Sequence, residues 1–356
     1  MLPNLISKSP LARLGLAGWA LLLTTTTGAL NAQERDRVYP AQGGAMTTGK
    51  IIERTPEKIV IEPSRGGPVE FPTFEVGRVV FDGEPSALSN AKQSALQSNW
   101  TQAESELSQV TAAALKSEAM KEEFQFYKGL VAGKLALSGK GTPGNAAKLL
   151  VDWAKAHSNS HNHFWGMETL GDLAMAMGTP NSATRFYTLI ASSTQPDISL
   201  KGNYLLGRAL LAQANIEEAR TKFNASVQAT VANPASLRLQ KLARIALIRC
   251  DAEGGDPTSA IQALEALVSA EDSSDAVLFS EIFNTLGNIY QKQNNTYEAV
   301  ISFLKTDKLY STQVEAHAEA LYHLSQLWPK VGEPLRGNQA KSELERLYPT
   351  SIWAKK

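Results

Sequence analysis

Two periods divide the chain. From Val38 to Phe81, short β-branched runs alternate with turn residues: "RVYP", "KIIER", "KIVIE", "VEF" and "RVVF", separated by "TPE" and "SRGGP". Alternation of this kind, punctuated by Pro and Gly, predicts five short antiparallel strands in a small barrel or a strongly bent sheet. After "DGEPSAL" the apolar positions recur at helical spacing and stay there to the end. The pattern therefore divides the chain into a β module over 36–83, helices over 86–349 and a tail over 350–356. A domain as short as the β module buries only about 60% of its unfolded surface. It is expected to lean on the first helices or to self-associate with another copy of itself.

A single arrangement recurs among the helices. Leu170-Gly171 is followed by Ala183 and Tyr187, Leu206-Gly207 by Ala219 and Phe223, and Leu286-Gly287 by Ala299 and Phe303. In each case glycine to alanine is twelve residues and alanine to the aromatic is four. Looser copies place Leu247-Ile248 before Ala260 and Leu264, and Leu324-Ser325 before Ala340 and Leu344. Upstream, Ala91, Ala103 and Leu107 fit, and a longer copy uses Ala146 or Ala147. A glycine inside a helix costs about 1 kcal/mol relative to alanine, so its recurrence implies a close crossing where a side chain would hold two helices apart. The turns "GTPN", "ANIE", "GGDP" and "QNNT" break one helix and start the next. The prediction is a mainly α chain of about seven helical hairpins, each of which buries its apolar face only by stacking on its neighbours.

The Leu-Gly, Tyr, Ala and Phe offsets resemble those of the tetratricopeptide repeat, over about Ser86 to Pro349. The closing proline of that repeat is mostly absent here, and the alanines are spaced 36 to 41 residues apart, beyond the usual 34. The resemblance implies an α-solenoid in which the first helix of each hairpin lines a concave groove. The positions two before and two after each leucine would then face it: Glu168, Asp172, Tyr204, Arg208, Ile245, Arg249, Asn284, Asn288, Tyr322 and Gln326. Tyr204, Arg208, Arg249, Asn284, Asn288 and Tyr322 are the candidate partner-binding residues, because Arg and Tyr are favoured anchors and Arg and Asn suit carboxylate or extended backbone. The β module resembles Sm-like and SH3-like small barrels. The ending "LERLYPTSIWAKK" is similar to the close of envelope proteins that coordinate cell division or outer-membrane assembly. Together the features resemble an exported, tetratricopeptide-repeat-like bacterial protein.

Composition narrows the classes. Of 356 residues, 43% are hydrophobic and 20% charged, which excludes disorder over most of the length. Lys plus Arg and Asp plus Glu are both 35, so the electrostatic footprint of a nucleic-acid binder is missing. Arg54, Lys58, Arg65 and Arg78 read as solvated strand faces. The lone Cys250 excludes an intrachain disulfide and reads as a buried, inert thiol. At the N-terminus, Lys8 and Arg13 precede the apolar run Leu14 to Leu23 and then "TTTTGALNA". This is the layout of a signal peptide over 1–32, cleaved after Ala32 or Ala29, or of an uncleaved anchor that would associate the protein with a membrane. Either reading places the chain in the periplasm, in the cell envelope or outside the cell.

Chemistry is sparse. His157, His161 and His163 fall within seven residues, and three imidazoles suit zinc or copper. No carboxylate or cysteine joins them locally, so a polar loop is the expected reading. His317 and His323 read as ordinary helix positions. No phosphate-binding, nucleophile-elbow or metalloprotease motif is present. The expectation is a non-enzymatic scaffold for a protein or peptide partner, with no catalytic residue, cofactor or resident metal. The alternatives are a cell-wall polymer binder using the β module, and a metal-dependent envelope enzyme using the histidine loop.

Overall fold

The computed structural model describes residues 35–349 and 351–356. The predicted signal or anchor segment lies outside them. Five strands come first: β1 (Asp36–Pro40), β2 (Thr47–Arg54), β3 (Lys58–Glu62), β4 (Val69–Pro72) and β5 (Val76–Val80). They form one antiparallel sheet in the order β4-β3-β2-β1-β5. The first half of β2 pairs with β1, Asp36 opposite Gly49. Its second half pairs with β3, Lys50 opposite Glu62, and the register shifts between Ile51 and Glu53. Two ladders sharing one strand across a bulge bend the sheet sharply. β4 and β5 are left as its edges, so the sheet is open.

Fourteen α-helices follow, in seven hairpins. These are α1 (Ser86–Leu96) with α2 (Trp100–Ser108), α3 (Glu118–Leu137) with α4 (Pro143–Ala156), and α5 (His163–Ala176) with α6 (Pro180–Ala191). Then come α7 (Pro196–Ala212) with α8 (Ile216–Gln228), α9 (Pro234–Gly254) with α10 (Pro257–Ala270), α11 (Ala276–Lys292) with α12 (Thr296–Leu309), and α13 (Val314–Leu327) with α14 (Pro334–Leu347). Six of the seven turns hold a residue in the left-handed region: Ser98, Gly139 (with Gly141), Gly178, Ala214, Asn294 or Gly332. The next N–H then reaches back to the last helical turn, as Asn215 does to Leu210 O (2.9 Å) and Asn295 to Tyr290 O (2.9 Å). This closure satisfies carbonyls that a helix end would leave bare. The α9–α10 turn differs: Asp256 accepts from the N–H groups of Thr258 and Ser259 instead.

The recurring glycine has a specific neighbour. A Cβ on Gly207 would sit 2.7 Å from the Phe223 ring, and one on Gly287 2.7 Å from the Phe303 ring. Each glycine thus makes room for the aromatic of its own hairpin, four residues past the buried alanine. In the longer second hairpin Gly129 does the same for Leu150, and Ala146 is the buried alanine.

The β module has no separate core. Val38, Ile59, Ile61, Val79 and Phe81 belong to one buried cluster with Leu88, Ala91, Phe126 and the helices as far as Cys250. The module leans on the helices, and its polar groups do so as well. Glu57, in the β2–β3 turn, accepts from Ser193 Oγ (2.8 Å) and Thr194 N (3.2 Å) ahead of α7. Two further buried clusters carry the core on through α11 and α13. No helix among the described residues is long and apolar enough to cross a membrane.

Candidate functional site

The first helices of hairpins four to seven are α7, α9, α11 and α13. Packed helix axes lie about 8–10 Å apart, so α7 and α13 are three such steps removed from one another. Yet the Arg208 guanidinium on α7 donates to Glu315 on α13 at 2.5 Å. These first helices therefore converge on one side of the stack.

Five of the six candidate residues share one polar network there, or border it. Arg249 lies 3.7 Å from Glu319 Oε1. Asn284 Nδ2 donates to Ala316 O (2.8 Å) and to Glu319 Oε2 (3.3 Å), and Asn288 Nδ2 donates to Glu319 Oε1 (3.0 Å). The Arg208 guanidinium faces the Tyr204 ring at 6.0 Å. Tyr204 itself is turned into the core beside Phe223, 6.0 Å between centroids. Tyr322 stands at the far end. The remaining groove positions behave differently. Ile245 is core. Glu168 and Asp172 are tied to Lys201 (2.5 Å) and Lys134 (3.2 Å), and Gln326 is exposed.

The hub of the network, Glu319, was not among the positions read from the sequence, nor were Glu281 and Glu315. Glu281 and Glu319 each lie three residues before a candidate position, Asn284 and Tyr322. On a helix that is the same face one turn earlier. Burial, and then the charge of Glu319, push the Glu281 carboxyl up to about 7. A folded-state value raised above the unfolded one contributes stability that is complete below about pH 4.5 and is lost as pH rises through about 7. Glu281→Gln is accordingly expected to raise stability at pH 8 by about 2–3 kcal/mol and leave pH 5 almost unchanged. Urea midpoints at the two pH values check this.

The groove is not empty of chain. Residues 351–356 fold back over α13. The Trp353 ring lies 5.3 Å from Tyr322 and 5.6 Å from His323, and His323 is stacked on Phe303 at 4.5 Å. Lys356 Nζ sits 3.7 Å over the Trp353 ring and 5.5 Å over Tyr322. Burial pushes the Lys356 ammonium below its ordinary value, with Glu319 opposing the shift and Arg249 adding to it. Beneath this end, His317 is a buried strut, its Nε2 2.8 Å from Asp307 Oδ1 and its Nδ1 2.7 Å from the Tyr348 hydroxyl.

At the other end of the solenoid, the β module is clamped by buried charge. Lys92 on α1 is fully buried, with Nζ 2.8 Å from Glu84 Oε2, 2.8 Å from Glu123 Oε2 and 3.0 Å from Val79 O. Arg54 forks onto Glu122 (3.3 and 3.2 Å), which also accepts from Ser160 Oγ (2.5 Å). The histidine loop is drawn apart by these groups. His161 Nε2 is 3.4 Å from Glu123, His157 turns to Gln125 (3.2 Å), and His163 packs on Phe164. The set of ligand atoms that does gather is Glu122, Glu123 and His161, within 4.8 Å of one another. The Lys92 ammonium already stands against Glu123 where a cation would bind. The basic strand residues are likewise engaged: Lys58 with Glu53 and Glu70, and Arg78 over the Tyr39 ring at 4.2 Å. Burial pushes the Cys250 thiol up to about 11, so it stays protonated.

Between the module and the helices lies a cavity of about 640 Å³, walled by Phe74 and Val76 on one side and Phe164, Trp165, Ile198 and Leu239 on the other. Of its charged wall residues, Lys201 pairs with Glu168 and Arg238 with Asp275, whereas Asp197 Oδ1 is buried without a hydrogen-bond partner.

No protein-family model matches the chain, and no curated protein matches it by sequence. Several solved structures are similar. The apo quorum sensor NprR from B. thuringiensis is 12% identical, with 75% of this chain and 74% of that one covered and a TM-score of 0.46. Pseudomonas aeruginosa PilF is 13% identical over 76% and 94%, at 0.36. The RpL4 assembly chaperone Acl4 is 18% identical over 64% and 92%, at 0.35.

Proposed function

We propose that the chain is a non-enzymatic scaffold that holds a protein or peptide segment in the inner groove of hairpins four to seven. The supporting observation is that this groove already carries a peptide segment. Residues 351–356 rest on it through ring and charge contacts of the kind a partner would make. Arg208 and Arg249, each about one-third exposed, and the half-buried Asn288 suit reversible recognition, whereas Asn284 is buried and its Nδ2 is bonded within the chain, out of a partner's reach.

Arg208 and Arg249 supply planar forks that pair with carboxylate or extended backbone. Replacing both with alanine is expected to weaken partner binding by about 2–5 kcal/mol. The melting temperature is expected to fall as well, because Glu315 and the buried Glu319 lose their cationic partners, so binding is compared at a temperature where circular dichroism shows the variant folded. The control pair, Lys148→Ala with Lys341→Ala, lies exposed on the second helices α4 and α14. Binding isotherms that fall equally for both pairs would move the site off the groove.

Export by the segment 1–32 belongs to the same proposal, with the protein working in the cell envelope. Native material is expected to begin near Gln33 by intact mass. A native chain that retains Met1 and fractionates with the cytosol would remove export.

A further inference from the structure

We propose that the groove recognises an aromatic side chain followed three residues later by a cationic one, and that Ser351–Lys356 is a tethered copy of that ligand. The proposal rests on the groove reading above and adds the chemistry of its occupant.

Two seats define that chemistry. The aromatic seat is a run of rings, Phe303 stacked on His323 and His323 beside Tyr322, with the Trp353 indole laid against the last two. Tyr322 and His323 remain only partly buried even with Trp353 in place. Flat rings lined up in this way accept another ring, by offset or edge contact.

The cationic seat combines ring faces with nearby carboxylates. Glu281 interacts with Arg208, Arg249, Glu315 and Glu319, Arg208 pairs with Glu315, and Arg249 lies 3.7 Å from Glu319. Three carboxylates face two guanidinium groups there, and with the Glu281 carboxyl pushed up to about 7 the excess negative charge near neutral pH is less than one unit. The Lys356 ammonium rests 3.7 Å over the Trp353 indole and 5.5 Å over the Tyr322 ring, and Glu319 attracts its charge against burial and Arg249. Trp353 and Lys356 thus satisfy both seats at a spacing of three.

A tethered segment has an effective concentration on the order of millimolar. A free segment of the same chemistry must therefore displace it, and a partner is admitted only when it outcompetes the tail.

The test is a fluorescein-labelled hexapeptide, Ser-Ile-Trp-Ala-Lys-Lys, titrated into the full chain and into the full chain carrying Trp353→Ala and Lys356→Ala. The double variant is expected to bind at least tenfold more tightly than the wild type. Adding Glu319→Gln should weaken that binding by at least tenfold, as should replacing the peptide's Trp with Ala. Equal affinity for both chains, or binding by neither, overturns the proposal. If circular dichroism shows that the double variant is unfolded, Lys356→Ala alone carries the comparison, since Lys356 is exposed. Wild-type chain that associates with rising concentration, where the double variant does not, would assign the seat to a second copy's tail and overturn a partner in trans. Hexapeptide binding by neither chain, alongside loss of the natural partner in the Arg208→Ala, Arg249→Ala variant, would reject this ligand chemistry and leave the groove reading standing.

Discussion

Gly202→Ala is expected to destabilise the fold by about 3 kcal/mol, the upper end of the usual range for overpacking. A methyl at this position of α7 would lie 2.5 Å from Ala191 Cα and Ile190 C, and closer still to Ala191 N. These are backbone atoms at the end of α6, so no rotamer change relieves the clash and the two helices must separate. The tighter-looking repeat glycines are more forgiving. At Gly207 and Gly287 the obstacle is an aromatic ring that can shift by a few tenths of an ångström, and alanine there should cost about 1–2 kcal/mol. Gly144, in the first turn of α4, meets nothing within 4 Å. Alanine there should be neutral or stabilise by up to about 1 kcal/mol, its gain in helix propensity. Urea midpoints rank the three. Equal midpoints for Gly202→Ala and Gly144→Ala would mean that α6 and α7 do not approach as described.

Lys92→Ala is expected to cost about 3–5 kcal/mol at pH 7, the range for breaking a buried ion pair by removing one partner. Two carboxylates, Glu84 and Glu123, would be left in the interior with no ammonium between them. Burial already raises the Glu84 carboxyl above its usual range, with Lys92 opposing it. Burial also opposes ionisation of Glu123, but Lys92 and His161 outweigh it and hold that carboxyl below its usual range. The lowered value gives Glu123 a contribution present above the unfolded-state value and lost as pH falls through the folded one. In the variant both carboxyls would be raised, and a raised group favours the fold at low pH. The gap between wild type and variant should therefore narrow on acidification from pH 7 to pH 4.5. A gap under 1 kcal/mol, or one independent of pH, would show that the cluster does not clamp the β module.

The strands and hairpins were legible because each rests on local pattern. β3 coincides with "KIVIE", and the alanine spacing counts the hairpins. The repeat offsets also bring Arg249, Asn284 and Asn288 to one polar network, but Tyr204, Ile245 and Asn284, read as groove positions from the same offsets, are buried. What the pattern missed depends on accumulated geometry. The Arg208–Glu315 pair joins residues 107 apart, and only the summed curvature of four hairpins brings them together. The seating of Trp353 depends on where the chain goes after α14. Gly202 lies outside the Leu-Gly pair, five residues before Gly207, and its counterpart Gly166, five before Gly171, likewise meets the preceding hairpin, at Trp153 of α4. Lys92 carried a signal that was not used: Leu88, Ala91 and Ala95 mark the apolar face of α1, and Lys92 lies on it. A lysine in that stripe needs a buried partner, and Glu84 and Glu123 are those partners. The histidine loop reads as a polar loop in the sequence, and its three imidazoles go to different neighbours, Gln125, Glu123 and Phe164; the carboxylate that meets His161 comes from α3, beyond the reach of a local pattern.

The central claim is that partners bind on the inner face of hairpins four to seven. A photo-crosslinking residue placed at Gln326, exposed on α13 one turn beyond Tyr322, reads that face directly, and the same residue at Lys148 reads the outer face of α4. The account predicts one discrete crosslinked species from position 326, none from position 148, and loss of the species when Glu319→Lys is added. Crosslinks that arise equally from both positions, or that persist in Glu319→Lys, would contradict it.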